Sequence, residues 1–233
     1  MEIKTLASGS KGNAYLVSDG KTRVLIDAGI PLREIQRSCG YMVSSLDACL
    51  VTHAHADHCK AVKDLMGMGV DCYMSAGTKQ ALKLVGHRAK EVKMLKIFTV
   101  GTFYVTPFDV EHDAPEPLGF LLESTATGEK LLYFIDTAYV KYTFAGVTHL
   151  MAECNYDTEG IKAAIERGDL PKEMLPRLLK THMSLDTLLK LLKSNDLSKL
   201  RQIYLMHMSD RNSGAERMRQ AVQKETGVEV YIC

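Results

Sequence analysis

In the stretch CLVTHAHADHCKAV, four residues with metal-binding side chains, His53, His55, Asp57 and His58, fall within six positions directly after an apolar run that reads as a buried strand. With eight histidines in the chain, composition would give this spacing by chance in roughly one random sequence of two thousand. An ordinary polar strand-to-helix turn capped by Asp57 is therefore a poor account of it. An extended HAH places both imidazoles on one side, and Asp57 and His58 then sit on the first turn of the next helix. Any fold of this chain must let these side chains converge at the end of a strand.

The rest of the chain supplies such strands. EIKTL, NAYLVSD and TRVLID read as a β-meander with turns at SGSKGN and DGK. Pro31 to Cys39 reads as a short helix, ACLVT as a strand, Asp57 to Met68 as one helix, CYMS as a strand and Gly77 to Val85 as a helix. From Val92 to Asp136 the pattern is strand throughout, in IFTV, FYVTPFDV, LGFLLES and LLYFID. HLMAECN, a helix near Thr158 to Arg167, a helical region from Pro171 to Asn195 interrupted at Thr181 to Ser184, RQIYLMH, a helix from Ala215 to Thr226 and VEVYIC follow. No linker or repeat divides the 233 residues, so a single domain spanning 1–233 is expected. An α/β (α+β) fold with two sheets face to face and helices outside would bury these strands.

Composition narrows the setting. No apolar run reaches the ~20 residues of a membrane span and the start of the chain lacks a signal sequence, so a cytosolic protein with no membrane partner is expected. The six cysteines never form CxxC and sit in apolar stretches, which points to reduced thiols. A formal net charge of +1 means that a polyanionic partner would need a local basic patch.

Nitrogen and carboxylate donors without thiolate suit Zn2+, with Mn2+ and Fe2+ less favoured. An open catalytic zinc uses three protein ligands, so four on one turn suggest two ions close together. The missing ligands are sought where polar residues end apolar runs: His112 after FYVTPFDVE, Asp136 after KLLYFI and His207 after RQIYLM.

This set resembles the metallo-β-lactamase superfamily over nearly the whole chain. Asp27 in LIDAG matches its first motif, His53, His55, Asp57 and His58 its second, His112 its third, Asp136 its fourth and His207 its fifth. The resemblance implies a four-layer αββα sandwich holding two divalent metal ions. His53, His55 and His112 would bind one, Asp57, His58 and His207 the other, and Asp136 would bridge them. Asp27 would fix the HxHxDH loop without touching metal. His55, where flavodiiron-like relatives carry Glu, favours hydrolysis over electron transfer.

SGSKGN, HDAPEP, AECNYD, THMS and HMSDRNS are similar to the YycJ-like (WalJ-like) branch, regarded as phosphodiesterases or DNA exonucleases. Ala14, Met183 and Met208 are mild apolar departures from its pattern. About seventy residues between Asp136 and His207, reading as helices, leave no room for a β-CASP insertion. The expectation is a phosphodiesterase, acting on DNA ends or single strands through a metal-bridged hydroxide, with Asp57 and His182 as the candidates for direct catalytic roles. His182 precedes Ser184, a candidate cap for DTLLKLLK, and would lie beside a positive helix end suited to phosphate. Ser8, Ser10 and Asn13 could contact phosphate through their Gly-punctuated turn, and Lys11, Arg211, Arg217 and Arg219 are candidates for a basic patch. A thioester or lactone hydrolase of the glyoxalase II kind shares HxHxDH but needs no such histidine. A non-catalytic metal-stabilised nucleic-acid-binding protein would need no open metal position. His87 and His149 match no motif and read as structural.

Overall fold

The first three apolar runs pair as an antiparallel meander in the computed structural model, which describes residues 1–208 and 214–233. They are β1 (Glu2–Ala7), β2 (Ala14–Ser18) and β3 (Arg23–Ile26). The chain forms two compact units, Met1–Asp109 with Ala114–Glu129, and Val110–Asp113 with Lys130–Cys233. Among the described residues no helix is long and apolar enough to cross a membrane.

In the first unit the sheet continues in parallel through β4 (Ala48–Leu50), β5 (Cys72–Met74) and β6 (Ala89–Glu91). Parallel neighbours need crossovers, and helices α1 (Leu32–Ser38), α2 (Ala56–Cys59), α3 (Val62–Gly67) and α4 (Ala76–Ala81) provide them. Leu25, Ile35, Cys49, Val51, Leu65 and Met74 are fully buried in the core of this sheet. Three antiparallel strands, β7 (Phe98–Val100), β8 (Phe103–Asp109) and β9 (Leu118–Ser124), complete the unit. Gly119 is required in β9 because a Cβ there would lie 2.4 Å from the ring of its cross-strand partner Phe108.

Two features depart from the periodicity. The helix expected over Asp57 to Met68 is broken into α2 and α3, because the Ala61 N–H leaves the helical ladder to donate to the Ala28 carbonyl at 2.9 Å. β6 is not foreshadowed by the sequence, since AKE has neither alternation nor bulk; only pairing with β5 makes it a strand.

The second unit is built on β10 (Lys130–Phe134), β11 (His149–Glu153), β12 (Gln202–Met206) and β13 (Glu229–Ile232), each parallel to the next. Its helices are α5 (Thr158–Glu166), α6 (Leu175–Thr181), α7 (Leu185–Ser194) and α8 (Ala215–Thr226). The expected interruption between α6 and α7 is present, and Ser184 caps α7 by accepting the Thr187 N–H at 3.1 Å. Leu188, Leu192, Met218 and Val222 bury the apolar stripes of α7 and α8.

The turn between β2 and β3 ties the antiparallel strands to the meander. Asp19 accepts hydrogen bonds from the Lys21 and Thr22 backbone N–H groups, from Ser124 Oγ at 2.6 Å and from Thr102 Oγ1 at 2.5 Å. Burial would raise its pKa, but these donors hold it down at about 2. A depressed folded-state pKa contributes stability that is present above the unfolded value near 4 and is lost as pH falls through the folded value. Asp19→Asn should therefore lower the urea midpoint at pH 7, and the gap to the parent should close as pH falls from about 4 to about 2. A gap that ignores pH over this window would show that the Asp19 charge is not what stabilises the turn.

Candidate metal centre

In the first unit the site begins with a buried carboxylate. Asp27 follows β3 in left-handed backbone, φ 60, a region unfavourable to a residue with a Cβ and tolerated here because its side chain is held on several sides. Its carboxylate accepts hydrogen bonds from the Thr52 N–H and the Thr52 hydroxyl, each at 2.9 Å, and lies 2.8 Å from His58 Nδ1. A proton on Nδ1 donated to Asp27 leaves the His58 lone pair on Nε2. Thr52 Oγ1 also lies 3.0 Å from His53 Nδ1, so the same carboxylate orients two imidazoles. The ring centroids of His55 and His58 lie 4.8 and 4.1 Å from that of His53, and Asp57 Oδ2 lies 3.6 Å from His58 Nε2. The three imidazoles and the Asp57 carboxylate thus gather at one end of β4.

Backbone contacts clamp this turn. The Asn13 N–H donates to the Asp57 carbonyl at 2.7 Å, and the Ala28 N–H to the His58 carbonyl at 2.8 Å. Gly29 lies so near that a Cβ would fall 1.6 Å from the Asp57 carbonyl oxygen, and only glycine fits.

In the second unit Asp136 and His207 also stand in left-handed backbone, φ 48 and 52, just past β10 and β12. Glu153, the fully buried last residue of β11, lies among them. His182 Nδ1 is 2.6 Å from Glu153 Oε1 and 3.6 Å from Asp136 Oδ1. His207 Nδ1 is 3.3 Å from Asp136 and 3.4 Å from Glu153, and its ring stacks on that of His182 at 5.3 Å. Asn155 donates to the His207 carbonyl at 2.8 Å. His112 Nε2 lies 3.8 Å from Asp136 Oδ2. One ligand atom from each of Asp136, Glu153, His182 and His207 falls within 4.8 Å of the others.

Burial alone would lower the pKa values of His182 and His207, but carboxylates raise both, chiefly Glu153 for His182 and Asp136 for His207. Two carboxylates buried together require positive charge beside them, which protons on these imidazoles or a divalent cation can supply. The nitrogen and oxygen donors in both units, with the nearby Cys59 thiol donating to the Ala54 carbonyl, suit zinc, manganese or iron. These His/Asp clusters are compatible with a dinuclear divalent metal site.

The remaining candidates take varied places. Asn13 spends its amide on the Gly9 N–H and carbonyl and approaches His58 Nε2 at 3.1 Å, so it braces the turn. Ser8 Oγ accepts from the Tyr15 hydroxyl, and Ser10 is exposed. Arg217 is bound to Asp157 at 2.7 Å and Arg219 to Glu216 at 2.6 Å, which takes both out of a basic patch. Arg211 and the rest of 209–213, including most of HMSDRNS, lie outside the described residues. Thr52, Glu153 and Asn155 received no role from sequence reasoning. The available signal was position: Glu153 is a carboxylate ending an otherwise apolar run.

Residues 22–208 match the family model of the beta-lactamase superfamily domain. The chain is 29% identical over 249 residues to exodeoxyribonuclease WalJ of Streptococcus pneumoniae serotype 2, covering 97% of this chain and 90% of WalJ. It is 26% identical over 239 residues to exodeoxyribonuclease YycJ of Bacillus anthracis, covering 96% and 88%. The metallo-beta-lactamase fold protein YhfI from Bacillus subtilis superposes with a TM-score of 0.74 at 18% identity, covering 99% of this chain and 95% of YhfI.

If Asp27 sets the tautomer of His58, Asp27→Asn should weaken zinc affinity by roughly 10- to 100-fold, the usual cost of losing a group that orients a metal-binding histidine. Competition with a chromophoric chelator measures this beside the thermal midpoint. Unchanged zinc affinity in a folded variant would remove the orienting role.

Proposed function

The chain belongs to the beta-lactamase superfamily and has its mixed α/β fold of two sheets and helices, and on that premise we propose that it is a metal-dependent nuclease hydrolysing DNA phosphodiester bonds from strand ends. The observation that carries this reading is the 2.6 Å hydrogen bond between His182 Nδ1 and the buried Glu153. The exodeoxyribonuclease relatives WalJ and YycJ support it. In this reading residues 1–233 act as one domain in the cytosol. His53, His55 and His112 would hold one divalent ion, for which zinc suits the donor set, and Asp57, His58 and His207 a second, with Asp136 as a ligand available to both. When bound, such a pair supplies Lewis acidity and an activated water.

The protein's own groups then divide the work. Glu153 holds the Nδ1 proton of His182, so Nε2 is the nitrogen that meets substrate. The nearby carboxylate keeps that imidazole protonated to higher pH than an ordinary histidine, as a donor to a phosphate or leaving oxygen needs. His182 is also one-fifth exposed, whereas Glu153 behind it is sealed from water. Asp57, on the first turn of α2, is assigned the partner role of accepting a proton. A thioester or lactone hydrolase needs no second, phosphate-binding histidine of this kind.

The test pairs metal analysis with turnover on end-labelled DNA, a small phosphodiester and a thioester. Loaded protein should bind about two transition-metal ions per chain, more than the single ion that three-ligand sites hold. His182→Ala should cut DNA turnover by roughly 10²–10⁴ while metal content stays unchanged. Equal turnover in mutant and parent removes the role of His182. Thioester cleavage without DNA cleavage removes the nuclease reading.

A further inference from the structure

Two cavities of the first unit take lining residues from the α2–α3 segment. One, of about 500 Å3, is lined by Ser8, Lys11 and Gly12 of the β1–β2 turn and by Lys60, which follows α2. The other, of about 450 Å3, is lined by Lys63 of α3 with Lys83, His87 and Arg88 from the loop before β6. Lys60 and Lys63 flank the break at Ala61, three residues apart on the same segment. Both cavities thus draw basic residues from the segment that directly follows the HxHxDH turn, and these residues make up its basic face.

The lysines of this face are not tied up in direct ion pairs. Lys11, Lys60, Lys63 and Lys83 form no ion pair among the described residues, whereas Arg88 is paired with Asp71 at 2.9 Å. Glu34 is the one carboxylate among the residues lining the two cavities. Over the whole chain the formal net charge is only +1, so four unpaired lysines lining two cavities with one carboxylate are a local concentration. Val85, 84% exposed, stands between Lys83 and His87 and adds apolar surface next to the imidazole face. A polymer carrying both regular negative charge and flat apolar groups can use all of these features, and an acidic peptide or inorganic anion can use only the charge.

We propose that this face, from Lys11 and Lys60 to Lys63, Lys83 and His87, is a track for the phosphate backbone of the uncut part of a DNA strand. The proposal rests on the nuclease reading and deepens it. A strand presents one charge every ~3.4 Å, so lysines carried on one short segment and the loops beside it can engage successive phosphates of one backbone. The fold builds the track from the same segment that carries the metal-binding turn, which fixes the path of the strand relative to His53, His55, Asp57 and His58.

The experiment is equilibrium binding of a labelled, cleavage-resistant phosphorothioate single strand to the metal-loaded full chain between about 50 and 200 mM salt. Lys63 and Lys83 are both exposed, and Lys63→Gln/Lys83→Gln leaves the packed core untouched. Two lost phosphate contacts should make the slope of log K against log salt shallower by about 1.4, and should weaken binding at the low-salt end by about tenfold or more. Lys63→Arg/Lys83→Arg should restore the slope. Parental affinity and slope in the Gln variant would overturn the track. If the parent still digests DNA in that case, the nuclease reading survives. Binding with the expected slope loss but no digestion of cleavable DNA keeps the track and removes the nuclease reading, and a parent that does not bind the strand at all removes the track.

Discussion

The hydrogen bonding of Asp27 is the interaction on which the metal-binding turn depends. A carboxylate sealed from solvent would cost several kcal/mol if left without donors, and here the donors come from Thr52 and His58. Meeting that requirement joins the end of β3 to the end of β4 and aligns two imidazoles. The left-handed backbone of Asp27, the absence of a side chain at Gly29 and the break between α2 and α3 follow from the same closeness. The 27–29 segment approaches the 57–61 segment until backbone groups bond directly, and Ala61 bonds to Ala28 at the expense of helix continuity.

The second unit solves the same problem with a different carboxylate. Glu153 sits at the carboxyl end of a parallel strand, the edge at which α/β sheets place their functional groups, and gathers His182 and His207. Asp27, Asp136 and His207 all follow strands and all adopt positive φ. Holding three non-glycine residues there costs of order 1–3 kcal/mol each, which surrounding hydrogen bonds must offset.

The distribution of cationic groups separates solvated charge from charge available to a partner. Arg217 and Arg219 look equivalent to Lys11 in sequence, each lying near a motif. The fold gives both arginines carboxylate partners and leaves Lys11 lining a cavity. His87, which matches no motif and reads as structural, lies exposed in the wall of the basic face. A balanced total charge thus hides a local asymmetry that only the folded surface displays.

The types of donor atom, their tight spacing in HAHADH and the placing of Asp136 and His207 after apolar runs were legible without coordinates. These are local properties: strand alternation and the turn that follows determine where such side chains emerge. The tertiary structure alone decided which groups orient them. Thr52 gains its role from Asp27, twenty-five residues earlier, and Glu153 gains its role from His182, twenty-nine residues later. The break in the expected helix and the strand β6 likewise depend on partners distant in sequence. A hydrogen bond fixes a tautomer only when donor and acceptor meet within about 3 Å, and no spacing along one chain segment specifies which distant carboxylate will arrive there.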